Sequence, residues 1–100
     1  MEFLLNCGYT EKDIDEIVAN NDEGVIRNVS MNQENVVNVL NYLKELGVTD
    51  VTIKDLFLHQ IGMFYRTKDE IKAVFDEYEI DSIVKSLNYD VNTIDLIEFN

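Results

Sequence analysis

The chain has no proline, no tryptophan, four glycines and one cysteine. Without proline and with so little glycine, a turn-rich β fold fits poorly and helices are favoured. The single Cys7 excludes an internal disulfide and fits a reducing compartment. Basic residues are scarce as well, 8 Lys and Arg against 20 Asp and Glu, for a net charge of −12. Nucleic-acid affinity comes largely from neutralising phosphates with Lys and Arg. This balance therefore disfavours nucleic acid and anionic membranes, and favours basic protein partners. A solvated acidic surface explains the same charge with no partner at all. No apolar run reaches the ~18 residues that a membrane span requires. Residues 1–9 lack the basic start of a signal peptide. The expectation is a cytoplasmic protein without membrane contact.

What is present argues for a folded chain. Hydrophobic residues make up 46% and aromatics 10% of 100 residues. That is enough for one domain, 1–100, with a core of its own. Eleven asparagines stand out, and they read as base composition of the source rather than as function.

A motif occurs three times. It runs Leu4…Gly8-Tyr9-Thr10…Ile14…Ile17, then Leu43…Gly47-Val48-Thr49…Ile53…Leu56, then Val84…Asn88-Tyr89-Asp90…Ile94…Ile97. The offsets are 39 and 41 residues. Gly8, Gly47 and Asn88 are the residue types that accept the left-handed conformation ending a helix. One apolar residue then plugs the turn. Thr10, Thr49 or Asp90 caps the next helix, whose apolar residues follow four and seven positions later on one face. A period near 40 points to stacked helical hairpins.

Between these turns the pattern stays helical. Ile14, Ile17 and Val18 face inward, and Val25 to Val29 form at most a short turn of helix. Ser30 and Gln33 read as a capping box, opening a stripe of Val36, Val39, Leu40, Leu43 and Leu46 that ends at Gly47. Thr67 and Glu70 read as a second box, followed by Ile71, Val74, Phe75 and Tyr78. The stripe slips phase near Glu79-Ile80-Asp81, leaving open whether 68–88 is one kinked helix or two. The expected fold is all-α: stacked helical hairpin repeats in a short right-handed superhelical array.

The run Val39-Leu40…Leu43…Leu46-Gly47-Val48…Ile53…Leu56-Phe57…Ile61…Met63-Phe64…Thr67 resembles the mitochondrial transcription termination factor repeat. Ile61 stands where that family usually has proline. The resemblance implies helical repeats stacked into a curved superhelix that binds nucleic acid through a basic concave face. This chain has no matching basic surplus.

The one basic cluster is Arg66, Lys68 and Lys72, with Lys68 and Lys72 on one helix face. It is the candidate nucleic-acid site, diluted by Asp69 and Glu70. Asp76, Glu77, Glu79 and Asp81 lack the glycine and distal glutamate of a calcium loop, so no metal is expected. Cys7 and His59 lie 52 residues apart without a flanking signature, and Cys7 reads as a structural thiol. No phosphate loop, zinc spacing or serine triad is present, so neither cofactor nor catalysis is expected. Tyr42 lies off the Val39–Leu43–Leu46 stripe and is the candidate exposed interface aromatic. Leu4, Leu5, Ile14 and Val18 form an inner face that a truncated first helix would leave partly uncovered, another candidate interface. The expected function is a non-enzymatic helical-repeat module engaging a protein partner or a second copy. The alternatives are a termination-factor-type nucleic-acid binder and an acidic decoy of nucleic acid.

Overall fold

Gly8 and Gly47 adopt φ of 95° and 103° in a computed structural model that describes residues 1–99. Each ends a helix with the same pair of hydrogen bonds. The Gly8 and Tyr9 amides donate to the Leu5 and Leu4 carbonyls, and the Gly47 and Val48 amides to those of Lys44 and Leu43. Tyr9 and Val48 are the buried plugs. Thr10 and Thr49 then cap the helices that follow, accepting from the amides of Asp13 and Thr52. Asp13 closes a full capping box by accepting from the Thr10 amide.

Among the described residues the chain forms six α-helices: α1 Glu11–Ala19, α2 Glu23–Met31, α3 Gln33–Leu46, α4 Asp50–His59, α5 Lys68–Phe75 and α6 Ile80–Tyr89. Three 3-10 helices span Glu2–Cys7, Ile61–Tyr65 and Val91–Leu96. Each has inward residues three apart, the repeat of that helix: Leu4 and Cys7, Ile61 and Phe64, Val91 and Ile94.

Several expectations are corrected. Asn88 is not left-handed, because no non-glycine residue among those described has positive φ. α6 runs on to Tyr89, which is exposed instead of plugging a turn. The Asn88 amide acts elsewhere, accepting from the Thr49 N–H at 3.1 Å and donating to the Gly47 carbonyl at 3.2 Å. Ser30 lies inside α2 and opens no helix; its Oγ accepts from the Met1 amino group. Helix α2 is thus nine residues long where only a short turn was expected. Residues 68–88 form two helices, α5 and α6, broken at 76–79. The Thr67 box is half formed: Thr67 Oγ1 accepts from the Glu70 amide. Val18 and Tyr78 are exposed.

Helix α3 is the hub, touching α2, α4, α5, α6 and the 3-10 helix 61–65. Helix α1 packs on α4, and α4 on the 3-10 helix 91–96. The second helices of the three motif copies therefore lie in a row. Phe57 and Phe64 stack in the core with ring centroids 3.9 Å apart and planes 2° from parallel. The radius of gyration, 12.8 Å, matches the ~13 Å of a compact folded chain this long. The molecule is a compact all-helical body of 34 × 23 × 22 Å.

Candidate functional site

Two surfaces are candidates: the segment carrying Arg66, Lys68 and Lys72, and a groove walled in part by residues 64–67. Arg66 caps the end of the 3-10 helix 61–65, and Lys68 and Lys72 stand one turn apart on α5. Each is engaged within the chain. The Arg66 guanidinium sits 4.2 Å from the Phe99 ring centroid. Lys68 Nζ lies 5.8 Å from the Tyr42 ring centroid. Lys72 pairs with Asp76 one helical turn on, at 3.0 Å, and that contact raises its pKa.

The remaining cations follow the same pattern. Lys44 donates to the Cys7 carbonyl and pairs with Asp50. Lys54 bridges Asp13 at 2.8 Å and Glu16 at 2.9 Å, tying α1 to α4. Arg27 pairs with Glu23 at 3.4 Å. Among the described residues that leaves Lys12 and Lys85 without an ion pair or aromatic contact. The Lys54 hydrogen bond and the Thr10 amide pull the Asp13 carboxyl down to about 2.

Tyr42, expected as an exposed interface aromatic, is only 7% exposed. Helix α5 packs against α3, covering an arc wider than the Val39–Leu43–Leu46 stripe. Burial raises the pKa of the Tyr42 phenol. Leu4 is fully buried and Ile14 nearly so, so the first unit is better covered than its short leading helix suggested. Leu5, at 41% exposure, remains available as an interface residue.

The groove was not expected. It encloses about 460 Å³ between α2 and α3 on one side and residues 64–67 on the other. Its walls are Asn28, Asn32 and Asn35 with Val29 and Val36, facing Phe64, Tyr65 and Thr67. No lining residue is charged, in a chain that is 28% charged. Asn35 Nδ2 fastens the far wall, donating to the Phe64 carbonyl at 3.2 Å and the Arg66 carbonyl at 2.9 Å. Asn32 Nδ2 reaches back to the Asn28 carbonyl at 2.8 Å. Asn28 comes from α2, Asn32 from the break after it and Asn35 from α3, so it is the α2–α3 junction that brings the three amides to one groove.

Cys7 and His59 share no hydrogen bond; Cys7 Sγ is within 3.8 Å of the Phe3 carbonyl, and His59 is exposed at the end of α4. No group of carboxylates, histidines and cysteines among the described residues is arranged to hold a metal ion. No described helix is long and apolar enough to cross a membrane. No family model matches the chain, and no curated protein or solved structure matches it either.

Proposed function

We propose that the chain is a non-enzymatic helical-repeat module that engages a protein partner. The observation that carries this reading is what becomes of its cations. Six of the eight basic residues are taken up by carboxylates or aromatic rings of the same chain. The chain as a whole carries a formal charge of −12. Phosphate binding needs cations that face solvent in a patch, whereas a basic protein surface meets this chain with favourable long-range attraction.

The row formed by α1, α4 and the 3-10 helix 91–96, with two matching glycine turns, supports a repeat array of the termination-factor type as the scaffold. The nucleic-acid reading keeps one observation of its own, the closeness of Arg66, Lys68 and Lys72 in sequence. It requires Lys72 to leave Asp76 and Arg66 to leave Phe99. A second copy is the weaker form of the protein-partner reading, because two chains of like charge repel.

Sedimentation velocity, together with partner recovery from an extract of the native cell, tests the proposal. A basic protein that co-sediments stoichiometrically at physiological salt is the expected result. A monodisperse monomer that recovers no protein contradicts it.

A further inference from the structure

We infer that the cavity between the 3-10 helices 61–65 and 91–96 binds a free α-amino acid with an apolar side chain, Arg66 taking its carboxylate and Asp95 its ammonium. The inference goes beyond the protein-binding reading and does not rest on it.

The cavity encloses about 340 Å³. Met63, Ile94 and Ile97 line its apolar part, the first and last of them buried. A cation and an anion, Arg66 and Asp95, line the same space. Four of the eight Lys and Arg residues pair with carboxylates of the chain. Among the described residues Arg66 does not, although the Asp95 carboxylate shares its cavity.

Each charge is held in place with bonding capacity to spare. The Arg66 guanidinium lies over the Phe99 ring at 4.2 Å, and no described residue accepts from its N–H groups. A guanidinium presents its donors as a planar fork that fits a carboxylate, and a ring contact leaves that fork available. A ligand small enough to enter the cavity meets the group where it stands. On the other side, Gln60 Nε2 donates to both Asp95 oxygens at 3.3 Å and to Asn92 Oδ1 at 3.1 Å. An ionised carboxylate has about four acceptor positions, so Asp95 can still receive an ammonium.

These groups select the class of ligand. A lone cation or anion is attracted by one of the two charges and repelled by the other. A zwitterion satisfies both, and an apolar side chain covers Met63, Ile94 and Ile97. The volume lies at the low end of the roughly 300–1,000 Å³ of ligand sites, which suits a small molecule. Gly62 also lines the cavity and leaves it open: a Cβ there would meet nothing within 4 Å. Its φ is not positive, so a side chain can be added without backbone strain.

The test is an amide chemical-shift titration of the intact chain with L-leucine. Saturable shifts at Gly62, Arg66 and Ile94, at millimolar concentration or below, are the expected result. Isocaproic acid lacks the ammonium and leucinamide lacks the carboxylate. Each should bind about tenfold more weakly or worse, the size of losing one charge-assisted hydrogen bond. Arg66→Gln and Asp95→Asn should weaken leucine binding by a similar factor. Gly62→Leu fills the cavity, keeps both charges and should abolish binding. A thermal melt checks that each variant folds, and the two analogues make the same test on the unmodified protein.

The absence of saturable shifts with leucine overturns the inference. So does equal affinity for either analogue, or leucine binding that survives Gly62→Leu. Shifts confined to the hollow lined by Tyr78, Ile83 and Leu96 overturn it as well. None of these outcomes bears on the protein-binding reading, which stands or falls on partner recovery.

Discussion

The first two motif copies and the third share a sequence pattern but not a conformation. At Gly8 and Gly47 the chain turns left-handed, both freed carbonyls are satisfied, and an α-helix follows under a threonine cap. At Asn88 the helix continues, the plug residue Tyr89 stays in solvent at 93% exposure, and a 3-10 helix follows under Asp90. Asparagine tolerates the left-handed region, but at a cost glycine does not bear. Here its amide gains more by clamping the neighbouring turn at Gly47 and Thr49. A permissive residue type does not make a turn when a better use for its side chain lies within reach.

The largest effect expected from this comparison lies in the helices after the turns. Leu56 in α4 is fully buried, while its counterpart Ile97 lies at the edge at 9% exposure. Leu56→Ala should cost about 2–5 kcal/mol in urea denaturation, and Ile97→Ala clearly less. Equal losses would mean that the third unit is as well packed as the second.

The turns themselves come next. Gly47→Ala forces a Cβ into the left-handed region and should cost roughly 1–2 kcal/mol. The space there is tolerable, with Val84 Cγ1 at 3.6 Å from the added atom, so strain and not collision sets the loss. Gly24, in α2 with open space around it, is the control; Gly24→Ala should stabilise by about 0.4–1 kcal/mol. A neutral Gly47→Ala would show that the turn is not held as described.

Asn88→Ala removes both clamp hydrogen bonds at an exposed site. It should cost about 1 kcal/mol and speed hydrogen exchange at the Thr49 amide. An unchanged Thr49 exchange rate would remove the clamp from the account.

The smallest effect is the pH dependence of the first turn. The Asp13 carboxyl is held at about 2 against an ordinary value of 3.8. A depressed carboxyl stabilises above its ordinary value and loses that contribution as pH falls through the folded value. Between pH 4 and 2 the denaturation midpoint should fall, and Asp13→Asn should flatten that part of the fall. An unaltered slope would mean that the Lys54 bridge contributes nothing.

The glycine turns, the threonine caps and the apolar stripe of α3 were legible because each rests on neighbours in the chain. What was not legible depended on distant partners. Tyr42 looked exposed because one stripe seemed to account for α3, but the hub helix is covered on several sides and α5 closes over the tyrosine. Ser30 looked like a cap because its partner, the Met1 amino group, is 29 residues away. The groove escaped for the same reason. The spacing of its asparagines was visible, but the wall that makes them a site comes from Phe64 and Tyr65. Among the candidate basic residues, Lys72 pairs with Asp76 only four positions on, whereas the engagement of Lys68 by Tyr42 and of Arg66 by Phe99 depends on how distant segments pack.

The most direct test of the central claim, that this chain binds protein and not nucleic acid, is a titration of labelled duplex DNA, single-stranded DNA and RNA. It should be run at low and at physiological salt. The account predicts no binding even at low salt, where electrostatic attraction is strongest. Micromolar or tighter binding that survives at physiological salt and is lost on charge reversal at Lys72 would contradict it.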